Sequence, residues 1–176
     1  MIKEFTWTNI ENVLRLSVPH IILAFFFMLN VVAWPFVDAS MIKPYMVLII
    51  VYYWSIFRPT LMPIPVCFLI GILLDLIGGT PVGLHAFLLV TTHWIVRDQR
   101  RFLMGQPYIT NWAVFAGVSI AYAISEWALM GLVNGIWDIP KSALIRAVLT
   151  IALFPFATIL LINVHKILPV AYRASA

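Results

Sequence analysis

Apolar residues run along this chain in long stretches, broken by short polar or glycine- and proline-marked intervals. Six stretches stand out: about Leu16 to Phe36, Tyr45 to Phe57, Leu61 to Ile77, Val82 to Val96, Asn111 to Val133 and Ala143 to Leu168. They do not alternate apolar with polar positions, so they predict helices rather than strands of a barrel. A helix needs about 20 residues to cross a bilayer core. The first, fifth and sixth stretches meet that length. The second and fourth are short, which predicts little tilt, local thinning or incomplete crossing. Pro63 and Pro65 in the third stretch and Pro155 in the sixth each remove a helical hydrogen bond, which predicts kinks. Gly78-Gly79 predicts a sharp reversal. Thr80-Pro81 then predicts a helix start, with Pro81 at the first helical position and Thr80 as its cap.

Composition turns these helices into membrane helices. The 176 residues are 63% hydrophobic and 10% charged, with a mean hydropathy of +1.01. Too few charges are available to coat a water-exposed surface, and in lipid the backbone must satisfy its own hydrogen bonds, as helices do. The expected fold is an all-α polytopic membrane protein with six transmembrane helices, a single integral membrane domain over residues 1–176. A soluble active site is excluded.

Lysine and arginine set the expected orientation. With the N-terminus inside, eight of them fall on the cytoplasmic side (Lys3, Arg15, Arg58, Arg97, Arg100, Arg101, Lys166 and Arg173) and three outside (Lys43, Lys141 and Arg146). Both termini are therefore expected in the cytoplasm, with the Gly-Gly-Thr-Pro turn outside. The net charge of +4 is the ordinary asymmetry of such a protein and calls for no nucleic-acid partner. Lys3, Arg15 and the apolar run ending near Val37-Asp38-Ala39 loosely mimic a cleavable signal. The run is longer than a usual signal core, and an uncleaved first helix is expected. Trp34, Tyr45, Trp54, Trp94, Tyr108, Trp112 and Trp137 fall near segment ends as an interfacial belt. Tyr122 and Trp127 fall mid-segment and are expected to pack between helices.

Polar residues inside the apolar stretches are the candidates for function. Asp75 lies about one turn before the end of the third helix, where the negative dipole end disfavours a carboxylate without a partner. His85 starts the fourth helix, and Arg146 lies near the outer end of the sixth. A pairing of Asp75 with Arg146, with His85 donating, would answer the desolvation of both charges. The plainer reading of this set is a structural lock with no chemistry. Glu126 lies deeper, on the fifth helix, and must be protonated or paired. It is either a ligand or proton site or a neutral acid bonded to a neighbouring helix. Ala113, Gly117, Ala121 and Ser125 form a small-residue stripe suited to close helix approach, either internally, the commoner outcome, or against a partner's helix. His20, His93 and His165 lie on separate segments without metal-ligand spacing, and Asn30 and Asn163 are expected to bond between helices. Cys67 stands alone among apolar residues as a small core side chain. The chain contains no phosphate-binding glycine loop, no zinc-type motif and no nucleophile elbow. No catalytic residue, metal site or cofactor is expected.

The hairpin also carries a resemblance. Gly71-x-x-x-Asp75-x-x-x-Gly79-x-x-x-Gly83-x-His85 resembles the signature region of the MreD family of bacterial rod shape-determining membrane proteins. Pro44 to Trp54 resembles the family's segment after the first helix, Arg58-Pro59 its cytoplasmic turn, and Ser125-Glu126-Trp127 its acid-bearing fifth helix. The similarity spans most of the chain from about Pro44 onward. It implies a scaffold and not an enzyme, within the elongation machinery that inserts side-wall peptidoglycan. The implied partners are MreC directly and, in the same complex, MreB filaments, the RodA polymerase and a class B penicillin-binding protein, in contact with membrane lipid. The implied fold resembles the six-helix substrate-binding component of vitamin-uptake transporters, which would give a pocket open to the outer face. On that basis Asp75, His85, Glu126 and Arg146, with Gly79, Pro81 and Gly83 of the turn and Gly117 and Ala121 of the stripe, form the expected partner groove or polar cluster. Two other classes stand beside this reading. One is a small-molecule-binding component of a transporter. The other is an intramembrane enzyme acting on a lipid carrier through Asp75, His85 and Arg146.

Overall fold

A computed structural model describes residues 19–31, 43–135, 137 and 139–167, with backbone alone for 165–167. Its described residues form seven α-helices: α1 Pro19–Val31, α2 Met46–Phe57, α3 Ile64–Gly78, α4 Leu84–Asp98, α5 Arg100–Met104, α6 Tyr108–Asn134 and α7 Lys141–Ile167. A single 3-10 turn, Pro59–Leu61, joins α2 to α3. The six expected stretches correspond to α1 to α4, α6 and α7. The short α5 was not foreseen. Two helices are long and apolar enough to cross a membrane, Tyr108–Asn134 and Lys141–Val164, while Pro19–Val31, Met46–Phe57 and Ile64–Gly78 are apolar but shorter. The ends of the first stretch, the signal-like Val37-Asp38-Ala39, Trp34 and both tails lie outside the described residues.

Helix α2 is the core. Every residue from Met46 to Ile56 is buried, as expected for a helix that is apolar on all sides. Its shortness reflects that place, since its side chains pack on protein and not on lipid. It lies against α4, α5 and α7. Arg100 of α5 donates from Nε to the Ile56 carbonyl at 2.7 Å, which supplies one of the donors that the C-terminus of α2 lacks. Cys67 is buried in the same core.

The prolines divide into two kinds. Pro63 precedes α3 in extended conformation and Pro65 occupies its first turn, so neither kinks a helix. Proline is tolerated there because the first N–H groups are unpaired anyway. Pro155 does lie inside α7. The carbonyl it leaves without a helical donor, that of Ile151, accepts a hydrogen bond from the Trp112 indole of α6 at 3.1 Å. Trp112, expected in the interfacial belt, is thus a tie between helices. The α6–α7 pair is completed by Phe115 stacked on Phe154 at 4.2 Å and by Ser119 donating to the Ala147 carbonyl at 3.5 Å.

Helices α3 and α4 form the tightest pair. A Cβ on Gly71 would lie 2.2 Å from the Ala86 Cα, so the two backbones touch and no other residue fits at position 71. The helix start expected at Thr80-Pro81 falls instead at Leu84, after a turn at Gly83. The reason lies in Asp75.

Candidate functional site

Asp75 is fully buried, and its carboxylate is enclosed by donors from the turn. Oδ1 accepts from the Thr80 hydroxyl at 2.9 Å, the His85 backbone N–H at 3.0 Å and His85 Nδ1 at 2.8 Å. Oδ2 accepts from the Gly83 N–H at 2.8 Å. Two of the four donors belong to the start of α4, where backbone N–H groups lack helical partners and the dipole favours an anion. Asp75 therefore caps α4 from the neighbouring helix. Thr80, expected to be that cap, orients the carboxylate. The turn has the form this requires. Gly79 ends α3 in the left-handed region at φ 66°, and the Thr80 N–H closes back on the Asp75 carbonyl at 3.1 Å, a Schellman closure. Gly83, at φ 101°, presents its N–H to the carboxylate in a conformation that disfavours any side chain.

The carboxylate accepts, so His85 presents an N–H at Nδ1 and its Nε2 faces Glu126. Nε2 lies 3.8 Å from Glu126 Oε1 on α6. Glu126 is 3% exposed and is not alone. Arg146 of α7 donates from Nη2 to Oε1 at 2.9 Å, and the Tyr45 hydroxyl donates to Oε2. The Arg146 guanidinium also lies 5.2 Å from the centre of the Tyr45 ring, within cation–π range. Tyr45 in turn packs edge-on against Tyr122, with centroids 5.0 Å apart, so Tyr122 does pack between helices as its mid-segment position predicts.

Asp75, His85, Glu126 and Arg146 therefore do come together, with a connectivity that differs from the expected one. Arg146 pairs with Glu126 and not with Asp75, because the start of α4 and the turn supply all of Asp75's donors. Glu126, expected as a separate deeper site, is the link between the hairpin and the α6–α7 pair. Tyr45 and Gly71 were missed as contributors. Gly71 had a readable signal, small residues at 71 and 86 on the two arms of a hairpin. Nothing near Tyr45 in sequence points to an acid at position 126. Gly79, Pro81 and Gly83 shape the turn beside the cluster. Gly117 and Ala121 do not join it. Ala113, Gly117 and Ala121 are exposed on α6, and a Cβ on Gly117 would meet nothing within 4 Å. Of the two outcomes open to the stripe, these three residues show the outward-facing one, not internal packing.

A cavity of about 510 Å³ opens beside the cluster, walled by Lys43, Tyr45, His85, Tyr122 and Arg146 on its polar side and by Leu48 and Leu74 among its apolar residues. Asn30 borders it and donates to the Pro44 carbonyl at 3.0 Å, tying α1 to the start of α2, the interhelical role expected of it. Elsewhere His93 is buried and its Nδ1 meets the Ser55 hydroxyl at 2.7 Å, a core histidine bonded between α4 and α2. Among the described residues no group of three or more histidine, cysteine or acidic side chains has the arrangement of a metal site.

A model of the family described as rod shape-determining protein MreD matches residues 11–164. The chain belongs to the MreD family. It is also 37% identical over 78 residues to the rod shape-determining protein MreD of Haemophilus influenzae, a match covering 43% of this chain and 48% of that protein. The chain thus aligns with about half the length of this relative. No solved structure matches the chain. The aligned family and the apolar helices agree on a membrane protein.

Proposed function

We propose that this MreD-family chain is a membrane scaffold of the bacterial elongation machinery, a single six-span domain that grips the transmembrane or juxtamembrane part of MreC. Through MreC it would link to MreB filaments, RodA and a class B penicillin-binding protein. Both termini would lie in the cytoplasm, with the hairpin turn on the outer face. The observation that carries this reading is the division of labour in the polar cluster. Asp75 is consumed in holding the hairpin, while Arg146, His85 and Lys43 border an open cavity beside it. A partner helix laid along that groove would meet a rigid wall with polar anchors, the usual form of helix-in-groove recognition. The exposed Gly117–Ala121 face offers a second, flat surface for close helix approach.

The test is co-purification of tagged protein with MreC from native membranes. Gly117→Leu is expected to reduce recovery of MreC while the protein stays folded, and Arg146→Gln, which also weakens the Glu126 pair, to reduce recovery per folded molecule. Undiminished recovery with both would overturn the groove. The size and mixed lining of the same cavity favour a second reading, a small-molecule-binding membrane component. That reading predicts a stoichiometric small molecule in native mass spectra of the purified protein, without MreC.

A further inference from the structure

A second cavity lies at the opposite end of the helices, away from the polar cluster and outside the groove proposed for MreC. It holds about 300 Å³ between α2, α6 and α7, and its wall includes Tyr52, Phe57, Tyr108, Asn111, Phe154 and Ile162. Most of its wall is apolar, with Phe154, Ile162 and Phe57 offering hydrocarbon and aromatic faces only. Asn111 is part of the same wall, and its side-chain oxygen is buried and accepts no hydrogen bond. The Tyr52 hydroxyl does not meet that need, since it donates to the Asn111 backbone carbonyl at 3.0 Å.

Positive charge adjoins this wall. Arg58 follows Phe57 directly and ends α2. Arg100 donates from Nε to the carbonyl of Ile56, another residue of the cavity wall, and so keeps its terminal amino groups free of that bond. The first turn of the 27-residue helix α6, which contributes Tyr108 and Asn111, begins without a side-chain cap, so its dipole adds to the positive field. An apolar slot with an orphan acceptor in its wall, and with one arginine adjoining Phe57 and another bonded to Ile56 of that wall, suits a molecule with a hydrocarbon chain, an anionic group and a hydrogen-bond donor.

We propose that this cavity binds a membrane glycerophospholipid with an anionic, hydroxyl-bearing headgroup. One acyl chain lies against Phe154 and Ile162, the phosphate sits toward Arg58 and Arg100, and a headgroup hydroxyl donates to Asn111 Oδ1. The hydroxyl separates this ligand from an isoprenoid monophosphate. That lipid would satisfy the chain and the charge, but as its dianion it has no headgroup hydroxyl to donate to Asn111, and an unpaired buried acceptor is costly. Basic side chains at a membrane surface give the preference for anionic lipid.

The experiment is native mass spectrometry of the full chain released from detergent containing equimolar phosphatidylglycerol, phosphatidic acid, phosphatidylcholine and undecaprenyl phosphate. One retained phosphatidylglycerol per chain is expected, preferred over phosphatidylcholine on the order of tenfold. Arg58→Gln should reduce that preference. Asn111→Leu should abolish the preference for phosphatidylglycerol over phosphatidic acid while leaving preference for anionic lipid in place. Phe154→Trp should fill the slot and remove the bound lipid from protein that still runs as a folded species. Equal retention of all four lipids, a preference for undecaprenyl phosphate, or full retention by folded Phe154→Trp would overturn the proposal.

Discussion

The α3–α4 hairpin and the α6–α7 pair are both antiparallel helix pairs in a strongly apolar chain, yet they are held together differently. In the hairpin the backbones touch at Gly71 and Ala86, and one carboxylate collects four donors contributed by residues five to ten positions further along the chain. The α6–α7 pair is joined by separate side-chain ties: Glu126 to Arg146, Ser119 to the Ala147 carbonyl, Trp112 to the Ile151 carbonyl and Phe115 stacked on Phe154. Lipid tails are as apolar as leucine, so neither pair gains from hydrophobic burial between helices. Close backbone contact is one remaining source of attraction, and polar bonds that lipid cannot replace are the other. The hairpin uses both at a single point, whereas α6–α7 spreads the second along its length. The hairpin should therefore fail abruptly at one position, and α6–α7 should weaken in steps.

The largest expected effect is at the backbone contact. In Gly71→Val the added side chain must occupy space held by the Ala86 backbone, which cannot swing aside as a flexible side chain would. Overpacking of this kind is expected to cost about 3 kcal/mol or more and to separate the carboxylate from the start of α4. Thermal unfolding of purified protein in detergent measures it. A melting temperature equal to that of the parent would mean that the two helices have room to move apart. Gly117→Ala serves as the contrast, since it meets nothing and should not destabilise the protein.

The next effect concerns the link between the two regions. Removing Arg146 leaves buried Glu126 with the Tyr45 hydroxyl as donor and His85 Nε2 at 3.8 Å, and breaking one side of a buried ion pair typically costs about 3 kcal/mol. A double-mutant cycle on Glu126→Gln and Arg146→Gln should give a coupling energy of about 1 kcal/mol or more. The corresponding cycle on Asp75→Asn and Arg146→Gln should add within about 0.5 kcal/mol, because the two side chains share no bond. The opposite ranking would restore the direct Asp75–Arg146 pair that the sequence pattern suggests.

What could be read from sequence follows the same division. The hairpin was legible because its parts are close together: an acid one turn before a Gly-Gly reversal and a histidine just past it leave few alternatives. Even so the cap was assigned to Thr80, since a helix capped by a residue on its neighbour has no local signature. The ends of α2, α3, α4 and α6 were legible within a few residues because apolar runs and glycines mark them. The pairing of Glu126 was not, because its partners are 81 and 20 positions away and three separate helices must pack before they meet. The outward face of the small-residue stripe was hidden for a related reason. Small residues permit close approach, but only the arrangement of the other helices decides whether anything approaches.

The smallest expected effect tests whether the α6–α7 ties act one by one. Pro155 takes the helical donor away from the Ile151 carbonyl, and Trp112 supplies another from α6. Trp112→Phe keeps the ring area but removes the indole N–H, leaving a carbonyl without a donor in an apolar setting. The cost should be about 1 kcal/mol, the usual scale of an interhelical hydrogen bond in a membrane protein. Pro155→Ala restores an N–H at position 155 that can bond Ile151 within α7. In that background Trp112→Phe should cost nearly nothing, because the carbonyl no longer depends on α6. If the cost were the same in both backgrounds, the indole would contribute through its packing alone, and α6–α7 would be held by shape at this point, as α3–α4 is at Gly71.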